Sequence, residues 1–454
     1  MSKAVASQLS DLPDLLADVL DESGLEGNSV AWADVSPEQQ ENVTAAIASD
    51  QPPAAIAYPG STAALSKVMA MACQQGWRVL ATGQSSKLSW GGLAEEIDLV
   101  VSTARLNQVV EHAVGDFTVT VQPGLMFGEL RSQLAEQNQF LAIDPAFSEQ
   151  ATIGGIVATA DAGSLRQRYG GLRDMLIGVQ FVRYDGEVAK AGGRVVKNVA
   201  GYDLMKLMTG AYGSLGILSE LTFRLYPIQQ VSRTLVLSGG ETALEQAVAE
   251  VRMSGLTPVA LDLTLARQSA AMTDGEARKH MSLVARFQGI ADGVEEQTAR
   301  LKTVATMHSM HVQQLDDDAD TQFWRKASEL IRADGVLCKV GMRPSALPPL
   351  LAMLEDDALH SEAQVVLHGS SGLGWVQWPV GIAEQASFLA ALEKMRSHCQ
   401  DNGGFLTLLQ APKSLKRNID VWGYTGNALK VMGDIKQKFD PNRLLAPGRF
   451  VGGL

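Results

Sequence analysis

Along residues 51–228, segments with the hydrophobic pattern of strands alternate with segments that have the pattern of helices. The stretches AAIAYPGS, WRVLATG, IDLVVST and TVTVQPG are short apolar or alternating runs, which predict strands. STAALSKVMAMACQQGW and GELRSQLAEQNQ have the spacing of helices. In the first helix, Ser61 or Thr62 can cap the start and Gly76 can end it. This succession of strands and helices predicts an α/β or α+β domain over residues 51–228.

The pattern changes from residue 229 onwards. SRTLVLSGG, TPVALDLTL, HMSLVARFQG and LCKVGMRPSAL predict strands, and GVEEQTARLKTVATMH and EQASFLAALEKMRSHCQDNG predict helices between them. We therefore predict a second, α+β domain with an antiparallel sheet over residues 229–430. The last segment, residues 431–454, begins as a helix that ends at Asp440-Pro441, since proline disfavours helical geometry in the residue before it.

Residues 1–50 predict an acidic helical extension. Five leucines recur there at helical spacing, namely Leu9, Leu12, Leu15, Leu16 and Leu20. Such a helix either packs on the main body or docks on a partner. We favour packing on the main body, because surface helices usually cover their own domain.

Composition excludes several classes of protein. Among 454 residues, 38 Lys and Arg against 50 Asp and Glu give a net charge of −12, whereas a nucleic-acid binder needs a basic footprint. The three cysteines, Cys73, Cys338 and Cys399, lie far apart and do not suit a Cys-based zinc or iron–sulfur site. No apolar run reaches the roughly 20 residues of a membrane helix, and the N-terminus lacks a secretory h-region. We therefore expect a soluble, cytoplasmic protein.

Glycine is more frequent than usual: 43 of the 454 residues, or about 9%, are glycine, against an average of roughly 7%. The first glycine cluster runs from Ala81 to Gly92, just after the strand WRVLA. Backbone N–H groups in such a loop of small residues can converge on a pyrophosphate, and the Lys87 ammonium adds positive charge. The loop is neither GxGxxG nor GxxxxGK[ST], so it predicts neither a Rossmann nor a Walker site. A plain turn is the alternative.

Two further glycine clusters follow. Residues 151–160, ATIGGIVATA, are small or β-branched and uncharged, which indicates close backbone packing against a flat group, or else tight helix–sheet packing. The third cluster comprises Gly192 to Leu204 and then GAYGSLGIL at residues 210–218. The order and spacing of the three clusters together are more specific than any one of them.

In that order and spacing, the chain resembles the FAD-binding domain of vanillyl-alcohol-oxidase (PCMH-type) flavoproteins. Members carry a loop like RGGGTS–GG, then GG…YG, then K…AGYDL…GSxGxLGII, and end in FDPxx…NPGR. The counterparts here are residues 83–92, 154–171, 197–217, 439–441 and 446–449. The resemblance covers roughly residues 51–228 and the last 20 residues. It implies an α+β fold in which a PCMH-type FAD-binding domain precedes an α+β cap domain with an antiparallel sheet, and the C-terminal tail returns to the FAD domain.

The resemblance also implies a site for non-covalent FAD, because Ser85 and Ser86 stand where covalent relatives carry histidine. The small-residue segment 151–160 would form a wall along the cofactor, and Arg449 would reach it from the tail. The cofactor-binding residues expected on this basis are Thr82, Gly83, Gln84, Ser85, Ser86, Lys87, Leu88, Ser89, Pro145, Thr152, Gly154, Gly155, Ala158, Thr159, Gly216, Ile217 and Arg449.

The catalytic residues stay unassigned at this point. Catalytic relatives carry a metal-and-base motif similar to HxGDGNxH, whereas the nearest stretch here, VLHGSSGLGW, has the single histidine His368. A catalytic divalent site needs two or three N/O ligands, so we expect no metal. His368 is either a lone general base or a structural histidine of an apolar strand.

The string KNVAGYDLMKLMTGAYGSLGILSELTFRLYP is most similar to the FAD-binding E subunits of bacterial glycolate oxidases. This implies a flavoprotein complex that oxidises a 2-hydroxyacid such as glycolate and passes electrons to an iron–sulfur partner. A catalytic flavoprotein subunit would be a second partner, and attachment to the inner membrane would occur through partners. The alternatives are a stand-alone FAD-dependent D-lactate or glycolate dehydrogenase and a flavin-less scaffold subunit. An enolpyruvyl-reductase-like enzyme fits the AGYDL and tail signatures poorly.

Overall fold

The structure, a computed structural model, describes residues 12–22, 27–193, 202–273, 281–356 and 362–454. Its N-terminal part contains a four-stranded sheet in the order β1-β2-β4-β3. Strand β1 is antiparallel to β2, whereas β2, β4 and β3 are parallel to one another. The strands are β1 (Gly27–Ala31), β2 (Ala55–Pro59), β3 (Val79–Thr82) and β4 (Leu99–Ser102), and the helices are α1 (Leu12–Glu22), α2 (Pro37–Thr44) and α3 (Thr62–Gln75).

Local sequence accounts for the limits of α3, the crossover helix between the parallel strands β2 and β3. The Ser61 hydroxyl accepts a hydrogen bond from the Ala64 N–H at 3.1 Å, as an N-cap should. Gly76 ends the helix in the left-handed region, at φ +70°. These are the capping and stop signals predicted for this segment, with Ser61 rather than Thr62 as the cap.

The N-terminal segment is more than a helical extension. Leu12, Leu16 and Leu20 are buried against the four-stranded sheet and α3, so α1 covers its own domain rather than a partner. Leu9 lies outside the described residues. Strand β1 was not predicted, because its sequence GNSVA has neither an apolar run nor a clear alternation.

A five-stranded antiparallel sheet follows, in the order β5-β6-β10-β8-β9, with a separate two-stranded ribbon of β7 and β11. Its helices pack on one face and bury a second core. The strands are β5 (Val109–Ala113), β6 (Thr118–Val121), β7 (Gln139–Phe140), β8 (Leu176–Val182), β9 (Val188–Gly192), β10 (Ile217–Arg224) and β11 (Tyr226–Pro227). The helices are α4 (Phe127–Ala135), α5 (Ile153–Thr159), α6 (Arg166–Tyr169), α7 (Leu172–Met175) and α8 (Leu204–Met208).

The remaining strands form an eight-stranded antiparallel sheet, in the order β15-β12-β14-β13-β17-β18-β16-β19. Its strands are β12 (Val231–Gly239), β13 (Ala260–Leu265), β14 (Met281–Gly289), β15 (His311–Asp316), β16 (Val336–Gly341), β17 (Gln364–His368), β18 (Leu373–Trp378) and β19 (Phe405–Gln410). Its helices are α9 (Glu241–Met253), α10 (Ala266–Thr273), α11 (Ala291–Met307), α12 (Asp317–Ser328), α13 (Leu347–Asp356), α14 (Phe388–Asp401) and α15 (Lys413–Lys416). The sheet confirms the predicted antiparallel second unit; the domain limits at residues 229 and 430 stay predictions.

The two faces of the eight-stranded sheet have different partners. Leu263, Val340 and Leu367 point to a core shared with the helices. Residues one position away in the strands point the other way, and Leu337 packs with Trp90 of the first unit. This second face therefore closes over the N-terminal units.

The C-terminal residues return to the N-terminal sheet, as the fold prediction required. After α16 (Leu429–Phe439), the Val79 N–H donates to the Leu444 carbonyl at 2.7 Å, and the Ala446 N–H donates to the Val79 carbonyl at 2.8 Å. The tail thus extends the sheet alongside β3 and ends next to the loop that follows this strand.

Candidate functional site

The loop after β3 is the first wall of the site. The hydroxyls of Thr82 and Ser85 lie 3.1 Å apart and share a hydrogen bond, and Ser85 adopts a left-handed conformation at φ 63°. The loop turns back so that its small residues face a cleft. A loop of this kind presents several backbone N–H groups to one side.

Helix α5 is the second wall, and it approaches the loop closely. Thr152 caps the helix, its hydroxyl accepting a hydrogen bond from the Gly155 N–H at 3.3 Å. A Cβ on Gly83 would lie 2.2 Å from the Thr152 hydroxyl oxygen, and a Cβ on Gly154 would lie 2.6 Å from the Pro123 Cβ. Gly83 therefore allows the loop to approach α5, and Gly154 allows α5 to pack on the turn after β6.

The two walls enclose a cleft with about 830 Å³ of empty space, its open mouth included. Fifteen of the seventeen residues expected at a cofactor site line this cleft. They are Thr82, Gly83, Gln84, Ser85, Ser86, Lys87, Leu88, Thr152, Gly154, Gly155, Ala158, Thr159, Gly216, Ile217 and Arg449. The three separate sequence clusters thus meet around one space.

Two expected residues lie elsewhere. Ser89 is not among the residues that line this cleft, and its carbonyl accepts a hydrogen bond from the Lys416 ammonium. Pro145 lines a neighbouring cavity instead. Of the third glycine cluster, the resemblance motif from Lys197 to Gly201 lies outside the described residues.

The cleft also includes residues that were not singled out as ligands. Pro123 and Thr103 come from the turns after β6 and β4, and Met208, Tyr212 and Gly213 come from the segment before β10. Tyr212 and Gly213 belong to the quoted GAYGSLGIL string, so the motif itself could have pointed to them. Pro123 and Thr103 have no comparable sequence signal.

The charges at the cleft are suited to an anionic ligand. The Lys87 ammonium is buried and forms an ion pair with Asp161 at 2.6 Å; burial lowers the pKa of Lys87, and Asp161 opposes this shift. Burial lowers the pKa of Arg449 to about 10. Within the described residues, the buried Nη1 of Arg449 has no hydrogen-bond partner. A buried guanidinium with a free donor is a strong binding group for phosphate oxygens.

A second cavity lies between the N-terminal units and the eight-stranded sheet. Asp161, the partner of Lys87, is one of its lining residues, so this ion pair stands between the cleft and the cavity. His368 and Asp262 face the cavity as a cross-strand pair of β17 and β13. The His368 Nδ1 and the Asp262 Oδ1 are 2.7 Å apart.

The N-terminal part of the chain contributes to the same cluster. The Ser164 hydroxyl donates to the second carboxylate oxygen of Asp262 at 2.5 Å. Burial raises the pKa of Asp144, another lining residue, to about 7. Burial also disfavours the charged form of His368, but the Asp262 carboxylate outweighs this and raises the pKa of His368. His368 is therefore part of an acid–base cluster rather than an isolated residue.

No metal centre accompanies this cluster in the described part of the chain. Across residues 12–22, 27–193, 202–273, 281–356 and 362–454, no three His, Cys, Asp or Glu side chains are grouped so that they could hold a metal ion. The same residues contain no helix that is both long and apolar enough to cross a membrane.

Comparison with known proteins agrees with this geometry. A family described as "FAD binding domain" matches residues 53–192. The chain is 30% identical over 426 residues to "D-2-hydroxyglutarate dehydrogenase" of Xanthomonas citri pv. viticola, covering 87% of this chain and 89% of that relative. It is 34% identical over 152 residues to "Glycolate oxidase subunit GlcE" of Escherichia coli K12, covering 33% of this chain and 43% of that one.

The fold is shared with solved flavoproteins. The crystal structure of p-cresol methylhydroxylase with substrate bound superposes with a TM-score of 0.72 at 15% identity, covering 99% of this chain and 97% of that one. At this level of identity, the likeness concerns the fold alone. With the matched FAD-binding domain and the full-length relative, the chain belongs to the FAD-dependent oxidoreductases of the PCMH or vanillyl-alcohol-oxidase type, and FAD is its cofactor.

Proposed function

We propose that this chain is the FAD-binding subunit of a glycolate-oxidase-type complex that oxidises a 2-hydroxyacid such as glycolate and passes the electrons to an iron–sulfur partner. The observation that carries the proposal is the acid–base cavity beside the cofactor cleft, joined to it by the Lys87–Asp161 ion pair. The names of the relatives, a 2-hydroxyacid dehydrogenase and a glycolate oxidase subunit, support the substrate class.

The residues of the cleft fit a non-covalently held FAD. Backbone N–H groups of the loop after β3, together with Lys87 and Arg449, would hold the pyrophosphate. The glycines of α5 would leave room for the rest of the molecule. When bound, FAD supplies the acceptor for the two electrons that a 2-hydroxyacid loses on becoming a 2-oxoacid.

His368 would accept the hydroxyl proton of the substrate. Its Nδ1 is held by Asp262, which leaves Nε2 as the nitrogen that can take up a proton. Asp262 fixes the ring orientation and stabilises the imidazolium that forms, and Ser164 fixes Asp262 in turn. The arrangement follows the general logic of a base oriented by a carboxylate.

The electrons would leave the chain through another protein. A [4Fe–4S] or [2Fe–2S] cluster is held by four cysteines, or by two cysteines and two histidines. The chain has three cysteines, and Cys338 and Cys399 are fully buried in the core of the eight-stranded sheet. An iron–sulfur centre in the path would therefore belong to a partner.

The test is to express the chain alone and with candidate iron–sulfur and flavoprotein partners, and to record the flavin spectrum. Glycolate and D-lactate are then added under anaerobic conditions, and bleaching of the flavin band is followed. We expect the protein to purify with flavin and a 2-hydroxyacid to reduce that flavin. Reduction of a dye or of the partner should then depend on the 2-hydroxyacid. A colourless protein in every preparation would favour the flavin-less scaffold.

An accessory role within the complex is the second candidate. The observation that favours it is that, within the described residues, no three His, Cys, Asp or Glu side chains are grouped around His368 so that they could hold a metal ion. In that case, the chain would bind FAD and leave substrate oxidation to the partner flavoprotein. Flavin that is retained, but is reduced only when the partner is present, would identify this role.

A further inference from the structure

Four consecutive carbonyls after the cofactor loop point to buried cations. The carbonyls of Leu88 and Trp90 accept hydrogen bonds from the Arg449 Nη2, at 2.5 and 3.1 Å. The carbonyls of Ser89 and Gly91 accept hydrogen bonds from the Lys416 Nζ, the second at 2.8 Å. The segment forms turns and bends rather than a strand, and its successive carbonyls are held alternately by the two cations.

Lys416 is not itself among the residues that line the cofactor cleft. It occupies the end of the short helix α15, just after β19 of the eight-stranded sheet, and is 5% exposed. Its Nζ also donates to the Leu409 carbonyl at 2.8 Å, which in turn accepts the Gly91 N–H at 2.8 Å. One ammonium group therefore ties the loop segment to the last strand of the cap sheet.

The environment of Lys416 is unusual for a buried lysine. Within the described residues, its ammonium forms no ion pair with a carboxylate, and the same holds for Arg449. Arg449 lies close enough to disfavour the charge on Lys416 further. Burial without a carboxylate disfavours the charged form of Lys416, so the three carbonyls are the groups that stabilise its ammonium.

Arg449 connects this arrangement to the cofactor. It is nine-tenths or more buried and lines the cleft, and its Nη1 is the donor without a partner among the described residues. Its Nη2 donates to the carbonyls of Leu88 and Trp90 in the loop segment. The position of the loop therefore determines where this free donor points.

We propose that Lys416 is a positioning residue for FAD: from the cap side, it fixes the segment Leu88–Gly91 so that the loop and Arg449 keep the geometry that binds the pyrophosphate. The inference rests on FAD as the cofactor and is independent of the substrate. The proposal assigns a function in cofactor binding to helix α15 of the second unit. Among the described residues between 229 and 430, none lines the cleft.

The experiment compares Lys416→Met with Lys413→Met in the full chain. Methionine retains the length of the side chain but cannot donate, so buried carbonyls of the loop lose their donor. Lys413 lies in the same helix, but its ammonium binds the Ser49 carbonyl at 2.8 Å, away from the loop. Each protein is stripped of flavin and titrated with FAD while the quenching of FAD fluorescence is followed.

We expect FAD to bind Lys416→Met roughly tenfold more weakly or worse, as expected when buried acceptors lose their partner, and Lys413→Met to bind like the wild type. The apo proteins are compared by circular dichroism and by thermal unfolding. The FAD titrations are made at a temperature below the unfolding transition. A purely structural lysine would lower the unfolding temperature while the folded fraction kept the wild-type FAD affinity, and that result would overturn the proposal.

A second variant keeps the test decisive if Lys416→Met does not fold. Lys416→Gln retains a neutral donor and should give an intermediate FAD affinity and a bound-flavin spectrum closer to the wild type. Wild-type affinity in either folded variant would contradict the positioning role. Failure of the wild-type chain itself to bind FAD would instead contradict the cofactor assignment.

Discussion

At the scale of single residues, the glycines of the site have two different functions. The Cβ that Gly154 lacks would collide with Pro123, so this glycine allows α5 to pack against a turn. Gly155 lines the cleft, and a Cβ there would approach only the Thr152 hydroxyl, at 3.2 Å. Two neighbouring glycines therefore serve, respectively, the fold and the space for the cofactor.

Replacing Gly155 with Val tests the second function. We expect a folded protein that purifies without flavin, because the new side chain fills the cleft and has space to do so without displacing backbone. The flavin content is read from the visible spectrum of the purified protein. Gly293→Val, at a roomy position in α11, is the control and should retain flavin. Wild-type flavin content in Gly155→Val would show that α5 is not a wall of the FAD site.

The His368–Asp262 pair makes a prediction about pH. Asp262 raises the pKa of His368, so the histidine loses its proton only at a pH above the ordinary pKa of histidine. Oxidation of the hydroxyacid should therefore increase with pH in that region. Asp144 and Arg166 also influence His368, and both remain in the variant below. Asp262→Asn removes the stabilising charge, so the rising limb of kcat/KM against pH should move to lower pH.

The matching substitution, His368→Gln, should lower kcat about 10²- to 10⁴-fold while the flavin content stays at the wild-type level. The rate of flavin reduction by glycolate, measured by stopped flow, is the direct readout. The pH profile of kcat/KM could be unchanged in Asp262→Asn and the rate of flavin reduction unchanged in His368→Gln. Together, these results would assign this pair a structural function and favour the accessory role.

At the scale of elements, the tail of the chain is part of the N-terminal sheet. The carboxylate of Asp440 is fully buried and accepts hydrogen bonds from the Lys436 ammonium at 2.7 Å and the Leu445 N–H at 2.8 Å. Lys436 also donates to the Ser214 carbonyl at 2.8 Å, next to the cleft. The end of α16, the tail and the segment before β10 are therefore held by one buried ion pair.

Breaking that ion pair should destabilise the whole element. Asp440→Asn leaves the Lys436 ammonium without its counter-charge, and we expect a loss of about 3 kcal/mol or more in the free energy of unfolding. Chemical denaturation of the flavin-free protein measures it. Lys438→Met, at an exposed site of the same helix, should change the free energy of unfolding little. Equal stability of Asp440→Asn and the wild type would contradict the importance of the pair.

The elements also show how far the sequence could go. Strong periodic signals predicted α3 and the antiparallel second sheet, because long apolar patterns and Gly stops act locally. The return of the tail was expected only from the resemblance to PCMH-type flavoproteins. Strand β1 was missed because its pairing with β2, rather than its own composition, defines it. Asp262 was missed because its partner His368 is 106 residues away, and the register that joins them depends on the whole sheet.

Lys416 illustrates the same limit for charges. In the sequence, it is one of several basic residues after a strand, and lysines are mostly exposed. Its burial and its three carbonyl partners appear only once the two units are brought together. Motif reasoning located the cleft, whereas the residues that hold its shape from a distance required the fold.

At the scale of the whole molecule, the buried lysine couples stability to pH. Burial lowers the pKa of Lys416 to about 7 in the folded chain, whereas an unfolded lysine titrates near 10.4. Between these values, the unfolded state binds more protons, so the contribution of this group to stability rises with pH from about 7 to about 10.4. As pH falls from about 10.4 to about 7, this contribution is lost.

The comparison of wild type with Lys416→Met isolates this effect, because all other groups titrate in both proteins. In the flavin-free state, the difference in unfolding midpoint, wild type minus variant, should increase between pH 7 and pH 10. Thermal unfolding at a series of pH values measures it. A difference that is constant with pH would mean that Lys416 is charged in the folded chain across this range.

The ties between the loop and its cations also concern the order in which the chain is made. Lys416 and Arg449 lie 327 and 361 residues after the carbonyls of Ser89 and Leu88 that they hold. Synthesis proceeds from the N-terminus, so the FAD-binding domain leaves the ribosome long before these two residues exist. We therefore expect the cofactor loop to reach its final shape, and FAD to bind, only after the cap and tail have been translated.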